Sequence, residues 1–478
     1  MSKPAAPARK FDRTIVEGSL GRAVWRLAWP TMVQNIIGGM QGIIDQAMVG
    51  NYIGFVGNAA IGASLQIFIL VIVFVASVFT GMGVLVARFA GAGEHDKVNR
   101  TVYQAFFVSV LLALGFLAPL GYVLAPSLLS LINAAPEVQA EALPYIRIMF
   151  VSSIGMLLFF MFSGALRAAG DAQTPMRLGI LMTVLNIVLN VILIPPLGTR
   201  GAAIGTAIAS LGVGCAFLWL LFSNRLVIHF SRSMSYRPDW DIIRSLFRFG
   251  LPAGFQGIVM NLGGVLMLRF IGSLPDSAEA QAVYAVGYTE LFSLVTWTSV
   301  GLMGAAAAVA GQNLGAGRPD RSVAGVRIAS MIGLGAAGTI GVLFLFTPEL
   351  LLALFGMSEG RVVELGRQLL AYLALSGLFV TVALTYTGGL QGTGDTRGPL
   401  YISIVSQVVV PVGLCTLLQA TRGLQASDIW TAIVIGHFTR GTLSVLRFRR
   451  GRWREISVDI GRPRVDSRPA DEIRETAG

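Results

Sequence analysis

The chain has 478 residues, of which 54% are hydrophobic and 13% charged, about half the charged share of an ordinary soluble domain. With a mean hydropathy of +0.71, a water-soluble globular protein of this length is excluded and a polytopic membrane protein is expected. The net charge of +11 then reads as an orientation signal, not as a nucleic-acid-binding surface.

In chain order, residues 1–23 form a polar segment with Pro4 and Pro7 and no apolar core ahead of a cleavage site. It is read as cytoplasmic and not as a cleaved signal. Twelve apolar spans follow, at 24–50, 57–87, 100–124, 136–168, 174–196, 201–223, 245–272, 280–312, 322–346, 360–393, 398–419 and 427–447. Each is long enough to cross as a helix, the conformation that satisfies every backbone amide internally. The expected organisation is an N-lobe over 24–223, a cytoplasmic linker over 224–244, a C-lobe over 245–449, and a disordered cytoplasmic tail over 450–478. Cys215 and Cys415 lie in apolar stretches, and three scattered histidines offer no metal-ligand spacing, so no cofactor is expected.

Placing the N-terminus in the cytoplasm puts 30 of the 36 Lys and Arg on that side. Arg147, Arg200, Arg269, Arg361, Arg367 and Arg422 are the exceptions. By the positive-inside rule both termini are cytoplasmic, in a cytoplasmic (inner) membrane.

The chain repeats itself. "SGALRAAGDAQTP" from Ser163 returns as "TGGLQGTGDTRGP" from Thr387, matching Gly170 with Gly394, Asp171 with Asp395 and Pro175 with Pro399. "WRLAWPTMVQ" returns as "FRFGLPAGFQ", matching Pro30 with Pro252 and Gln34 with Gln256, and "AGAG" at Ala90 returns as "LGAG" at Leu314. Six is an even number of crossings, so the two lobes share one orientation and are related by a pseudo-two-fold axis along the membrane normal. The repeated Gly-Asp signal is read as a cytoplasmic turn followed by a helix start, not as a phosphate cradle, which would need a preceding strand.

These motifs, with "LNIVLNVILIPPLG" and "VAGQNLGAGRPDR" in the same order and spacing, resemble the multidrug and toxic compound extrusion family over roughly residues 15–455. The resemblance implies two six-helix lobes around a central cavity. It also implies export of amphipathic, often cationic compounds in exchange for protons, or less readily sodium, by alternating access. Partners are then small amphipathic solutes and the bilayer, and the protein is expected to be a monomer that is not an enzyme. A flippase for lipid-linked precursors is the competing reading of this architecture. An intramembrane enzyme is disfavoured, because its two candidate acids fall in opposite lobes.

Those acids, Asp45 and Glu290, are the two of 25 acidic residues that fall outside loops, tails and helix ends by the expected spans. An unpaired carboxylate in hydrocarbon costs roughly 2.5–3.5 kcal/mol on insertion scales, so it marks a site by default. Asp45 follows Pro30 in a glycine-containing helix that can bend, and its repeat mate is Met267. Asn186 and Asn190, four apart, share a helix face on which they can bond Asp45 or a cation. The resemblance matches Asp45 to the family's helix-1 acid, Pro30 to its bending proline and Asn186 to its helix-5 asparagine. Asn190 stands where a proton-coupled branch has Asp. The ion-coupling set is therefore Asp45, Asn186, Asn190 and Glu290, and substrate contacts are expected from Asp45, Gln34, Gln256 and Asn261. No carboxylate occurs near Met260 and Asn261 or over 373–386, which disfavours the sodium pattern that the resemblance would place in the C-lobe, though Glu290 keeps it open. His437 and Arg440 are read as a snorkelling, orientation-anchoring pair near the cytoplasmic end of helix 12.

Overall fold

The computed structural model describes residues 13–132, 135–223, 225–230, 234–358 and 360–458, and these contain helices and no strand. A short α1 (Thr14–Glu17) precedes α2 (Leu20–Ile53). The N-lobe continues with α3 (Phe55–Ala76), α4 (Val78–Ala92), α5 (His95–Val110), α6 (Ala118–Leu131), α7 (Pro136–Val151), α8 (Ser153–Ala168), α9 (Gln173–Leu197) and α10 (Thr199–Phe222). The C-lobe comprises α11 (Trp240–Ile271), α12 (Ser277–Tyr284), α13 (Ser293–Gly315), α14 (Pro319–Phe346), α15 (Pro348–Ala353), α16 (Arg361–Thr393), α17 (Arg397–Ser403), α18 (Val410–Arg422) and α19 (Ala426–Arg449). Wide π-turns at Leu111–Leu117, Ala285–Leu291 and Ile404–Val409 join α5 to α6, α12 to α13 and α17 to α18.

Joined end to end, these helices make twelve traversals. Ten runs are long and apolar enough to cross a membrane, and α7 with α8, bent by 49°, makes an eleventh. The remaining one, α2, is too polar for that test because Gln34, Asn35, Gln41, Asp45 and Gln46 interrupt its apolar residues. Pro30 lies inside α2 without ending it, and Thr31 Oγ1 donates to the Leu27 carbonyl at 3.0 Å.

The repeated turn is built alike in both lobes. Gly170 and Gly394 each adopt a left-handed φ of 102°, a region that glycine enters without penalty. Asp171 Oδ1 accepts from the Gln173 and Thr174 amides at 3.1 and 3.0 Å, and Asp395 Oδ1 accepts from Gly398 N at 2.9 Å. Both acids thus cap the following helix, whose third residue is Pro175 or Pro399.

The lobes meet through α2–α5 and α8 on one side and α11, α13, α14 and α16 on the other. At the linker face the contact is reciprocal. A Cβ on Gly91 would collide with the Gln312 carbonyl, and one on Gly315 with the Arg88 carbonyl. Gly91 and Gly315, like Arg88 and Gln312, are repeat mates, so residue i touches j' while j touches i', as a two-fold requires. The "AGAG" and "LGAG" segments therefore form the crossing point of the two lobes.

The first and last described segments each bond to the opposite lobe. Asn313 Nδ2 donates to the Ile15 carbonyl (3.3 Å) and Arg321 Nη2 to that of Gly18 (2.7 Å). Beyond α19, a 3-10 turn at Arg452–Glu455 buries Trp453 against Phe448, with ring centroids 4.9 Å apart, and Arg88 Nη2 donates to the Ile456 carbonyl at 2.5 Å. The expected disordered tail is therefore corrected over 451–458, where one buried indole anchors an otherwise charged stretch. Residues 1–12 and 459–478 lie outside the described residues, as do 224 and 231–233 of the expected linker. The C-lobe helix begins at Trp240, five residues ahead of the expected 245, because Asp239 caps it through the Asp241 and Ile242 amides.

Candidate functional site

The N-lobe site is a chain of polar side chains set in apolar helices. Asp45, half-buried in the distal half of α2, accepts from Asn190 Nδ2 through Oδ1 at 2.8 Å. The same Nδ2 lies 3.4 Å from Asn186 Oδ1, and Asn186 Nδ2 donates to Thr206 Oγ1 at 3.0 Å. One turn before Asp45, Gln41 Oε1 accepts from Thr183 Oγ1 at 2.9 Å. Asn186 and Asn190 are fully buried. Their four-residue spacing puts both amides on the face of α9 that meets α2.

No basic side chain pairs with Asp45 among the described residues. Its carboxylate is held by neutral amides. Asn190 Oδ1 is buried without a donor, and Gly205 in α10 leaves it room, since a Cβ there would strike that oxygen. An amide turned over would present this oxygen to a protonated Asp45, so one asparagine can serve either protonation state.

The structure brings Asp45, Asn186 and Asn190 together and leaves the other expected site residues apart from them. Gln34 packs beside Gly179 of α9, with its Oε1 buried and without a donor. Gln256 is buried in the C-lobe, donating to Ser403 Oγ and accepting from Gln391 Nε2, both at 3.1 Å. Asn261 donates to the Gly257 carbonyl at 3.0 Å and lines a C-lobe cavity. Glu290 stands half-buried on the π-turn of 285–291 and forms no ion pair among the described residues. Sequence reasoning passed over Gln41, Thr183 and Thr206. The first was findable, one helical turn from Asp45 on the same face.

The snorkelling expected of Arg440 is not observed. This guanidinium is 3% exposed and His437 is 4% exposed, with Ser376 Oγ bonded to the His437 Nδ1. Both sit mid-helix in α19 on its buried face.

A family model for MatE matches residues 30–192 and 252–417, one stretch in each lobe. The chain belongs to the multidrug and toxic compound extrusion family. It is a secondary active antiporter of the membrane, and the family is one of transporters, not enzymes. The chain is 28% identical to the probable multidrug resistance protein NorM of Thermotoga maritima, over 92% of its own length and 94% of that protein's. It is 24% identical to the multidrug export protein MepA of Staphylococcus aureus, over 86% and 90% respectively. In fold it is similar to a MOP superfamily transporter from Pyrococcus furiosus, with a TM-score of 0.85, 21% identity, and coverage of 95% of this chain and all of that one.

Proposed function

We propose that this antiporter exports amphipathic, often cationic compounds and draws on inward proton movement through Asp45. Relatives that carry the names multidrug resistance and multidrug export protein support the substrate class. The observation that carries the ion reading is the Asp45 carboxylate, set among Asn190, Asn186 and Gln41 with no counter-charge. An acid so placed is costly to keep ionised in an apolar surround, so either a proton or a cation must accompany it. When Asp45 holds a proton it no longer attracts a cationic solute, and when it is ionised it does. Proton and solute then oppose each other at one site, and reciprocal linkage turns that opposition into exchange. The asymmetry supports protons over sodium: the site offers one carboxylate, and its amide nitrogen, a donor, points at it. Alternating access would separate the lobes at the Gly91–Gly315 crossing.

The termini are proposed to be cytoplasmic, from the basic-residue asymmetry, so the crossing closes the cytoplasmic face. Cysteine at Ala135 should react with an impermeant thiol reagent from outside intact cells, and cysteine at Ser235 should not; reversed labelling discards this orientation. The coupling test is purified protein in vesicles under separately imposed proton and sodium gradients. Dye movement driven by the proton gradient alone is expected. Movement that follows only the sodium gradient would sink the proton reading.

A further inference from the structure

The C-lobe holds a charge that proton coupling at Asp45 leaves unused. Arg440 is buried. Its one hydrogen bond among the described residues runs from Nη2 to the Met260 thioether at 3.6 Å, a weak acceptor, and its Nε is buried with no acceptor at all. No acid forms an ion pair with it among the described residues: Asp395 holds Arg447, Asp428 holds Arg422, and no ion pair joins Glu290 to it. A buried guanidinium without an anionic partner is destabilising. It persists where function uses it.

Met260, the acceptor for Arg440, lines a cavity of about 410 Å³ together with Asn261, Tyr284, Tyr288, Gln407 and His437, while Arg440 itself does not line it. Tyr284 and Tyr288 stack at 4.8 Å and 7°, and Tyr288 in turn stacks on the His437 ring at 6.4 Å and 15°. The result is an aromatic wall with polar groups at its edge, the make-up of a site for a flat amphipathic solute. Two of the three π-turns, at 285–291 and 404–409, contribute lining residues, and such widened turns recur at functional sites. Met260 is unbranched and repacks easily, so it can yield its place to a better acceptor.

We propose that this cavity takes an aromatic amphipathic solute bearing an anionic oxygen group, a carboxylate in the simplest case, and that this group displaces the Met260 thioether from Arg440. The inference rests on the transport reading only in adding a second solute class to it. A direct binding measurement can fail without touching proton-driven export, and the converse holds. A lipid headgroup phosphate offers Arg440 the same chemistry, so the experiment separates the two sources.

The probes are 1-naphthylacetate and its neutral methyl ester, titrated against the full-length protein in phosphatidylcholine nanodiscs by quenching of tyrosine and tryptophan fluorescence. The acid is expected to bind at least about tenfold tighter than the ester. Arg440→Gln should bring the two within about twofold of each other, and Arg440→Lys should keep part of the preference. Met260→Glu ties up the guanidinium from within and should also reduce the acid-to-ester ratio, which decides the matter if the Arg440 variants fail to insert. A parent protein with no preference for the acid overturns the proposal. So does an unchanged ratio in the variants, or equal loss of both probes. Discs containing phosphatidylglycerol supply the last arm. Undiminished binding of the acid supports a solute site, whereas its abolition assigns Arg440 to a headgroup and overturns the solute assignment.

Discussion

The two lobes repeat one another in backbone and diverge in their polar centres. Around Asp45 the N-lobe has an acid among amides. The equivalent C-lobe positions, at the offsets of the repeated motifs, are Met267 for Asp45, Val410 for Asn186 and Leu414 for Asn190. The C-lobe instead buries Arg440 and His437 beside stacked tyrosines. Features that close the molecule, by contrast, are kept in both halves: the left-handed glycines at 170 and 394, the aspartates that cap the next helix, and the reciprocal glycines at 91 and 315. A duplicated scaffold thus preserves what positions the lobes and lets the chemistry differ between them.

Asp45→Asn should break this comparison most severely. It keeps size and hydrogen bonding but removes the charge, and gradient-driven dye efflux in vesicles is expected to fall at least about a hundredfold, a loss of about 2.7 kcal/mol or more of coupling. Glu290→Gln, on the C-lobe side, should cost far less. Equal losses from the two would place coupling in both lobes. Adding Met267→Asp to Asp45→Asn should not restore efflux, because that position has Val410 and Leu414 where the N-lobe has its asparagines.

Symmetry sets the next expectation. Gly91→Ala and Gly315→Ala each push a methyl into a backbone carbonyl of the other lobe, a clash of about 1–3 kcal/mol. Both should loosen the same face, so each should lower transport by a similar factor of roughly 5–150 and raise the reactivity of a nearby linker-face cysteine. Unequal effects would mean that the crossing is not on the pseudo-two-fold axis.

Asn190→Asp should displace the pH profile of transport without abolishing it, since a second titratable group then shares a hydrogen bond with Asp45. Its C-lobe counterpart Leu414→Asp should leave the profile in place and lower stability, as an acid with no partner does. The smallest contrast lies in the turns. Asp395 takes Arg447 in two hydrogen bonds at 2.6 and 3.1 Å, whereas Asp171 bonds the Thr174 hydroxyl at 2.6 Å. Asp395→Asn should therefore cost about 1–3 kcal/mol and Asp171→Asn about half as much, read as apparent melting temperatures in detergent.

How much of this could be read from sequence follows from the physics of each feature. The traversals were legible because hydrocarbon demands long apolar helices, and the lobes because the motifs recur at a nearly constant offset. Even α2, which falls short of the other traversals in apolarity, was placed among the spans, and its polarity is the mark of the site it carries. Asp45 stood out because an acid in a span is rare. The Asn186–Asn190 pair was legible through helical spacing alone. Arg440 was misjudged because a sequence does not say which way a long side chain turns, and a buried guanidinium looks the same in one dimension as one that reaches water. Trp453 was lost inside a charged stretch that masked its single anchoring contact. Gln256, the repeat mate of Gln34, was expected to join a substrate site, yet it is committed to Ser403 and Gln391.

The first and last described segments, each hydrogen-bonded to the lobe to which it does not belong, have a consequence for watching this protein work. Any rearrangement that parts the linker face must first release the Asn313 and Arg321 bonds to residues 15 and 18, or the Arg88 bond to residue 456. These are few bonds at the margin of the fold, the class of contact that opens with the smallest free energy. Deuterium uptake over residues 14–18 and 452–458 should then rise and fall with the transport cycle. The two segments are built-in clocks for lobe separation, readable with no label attached.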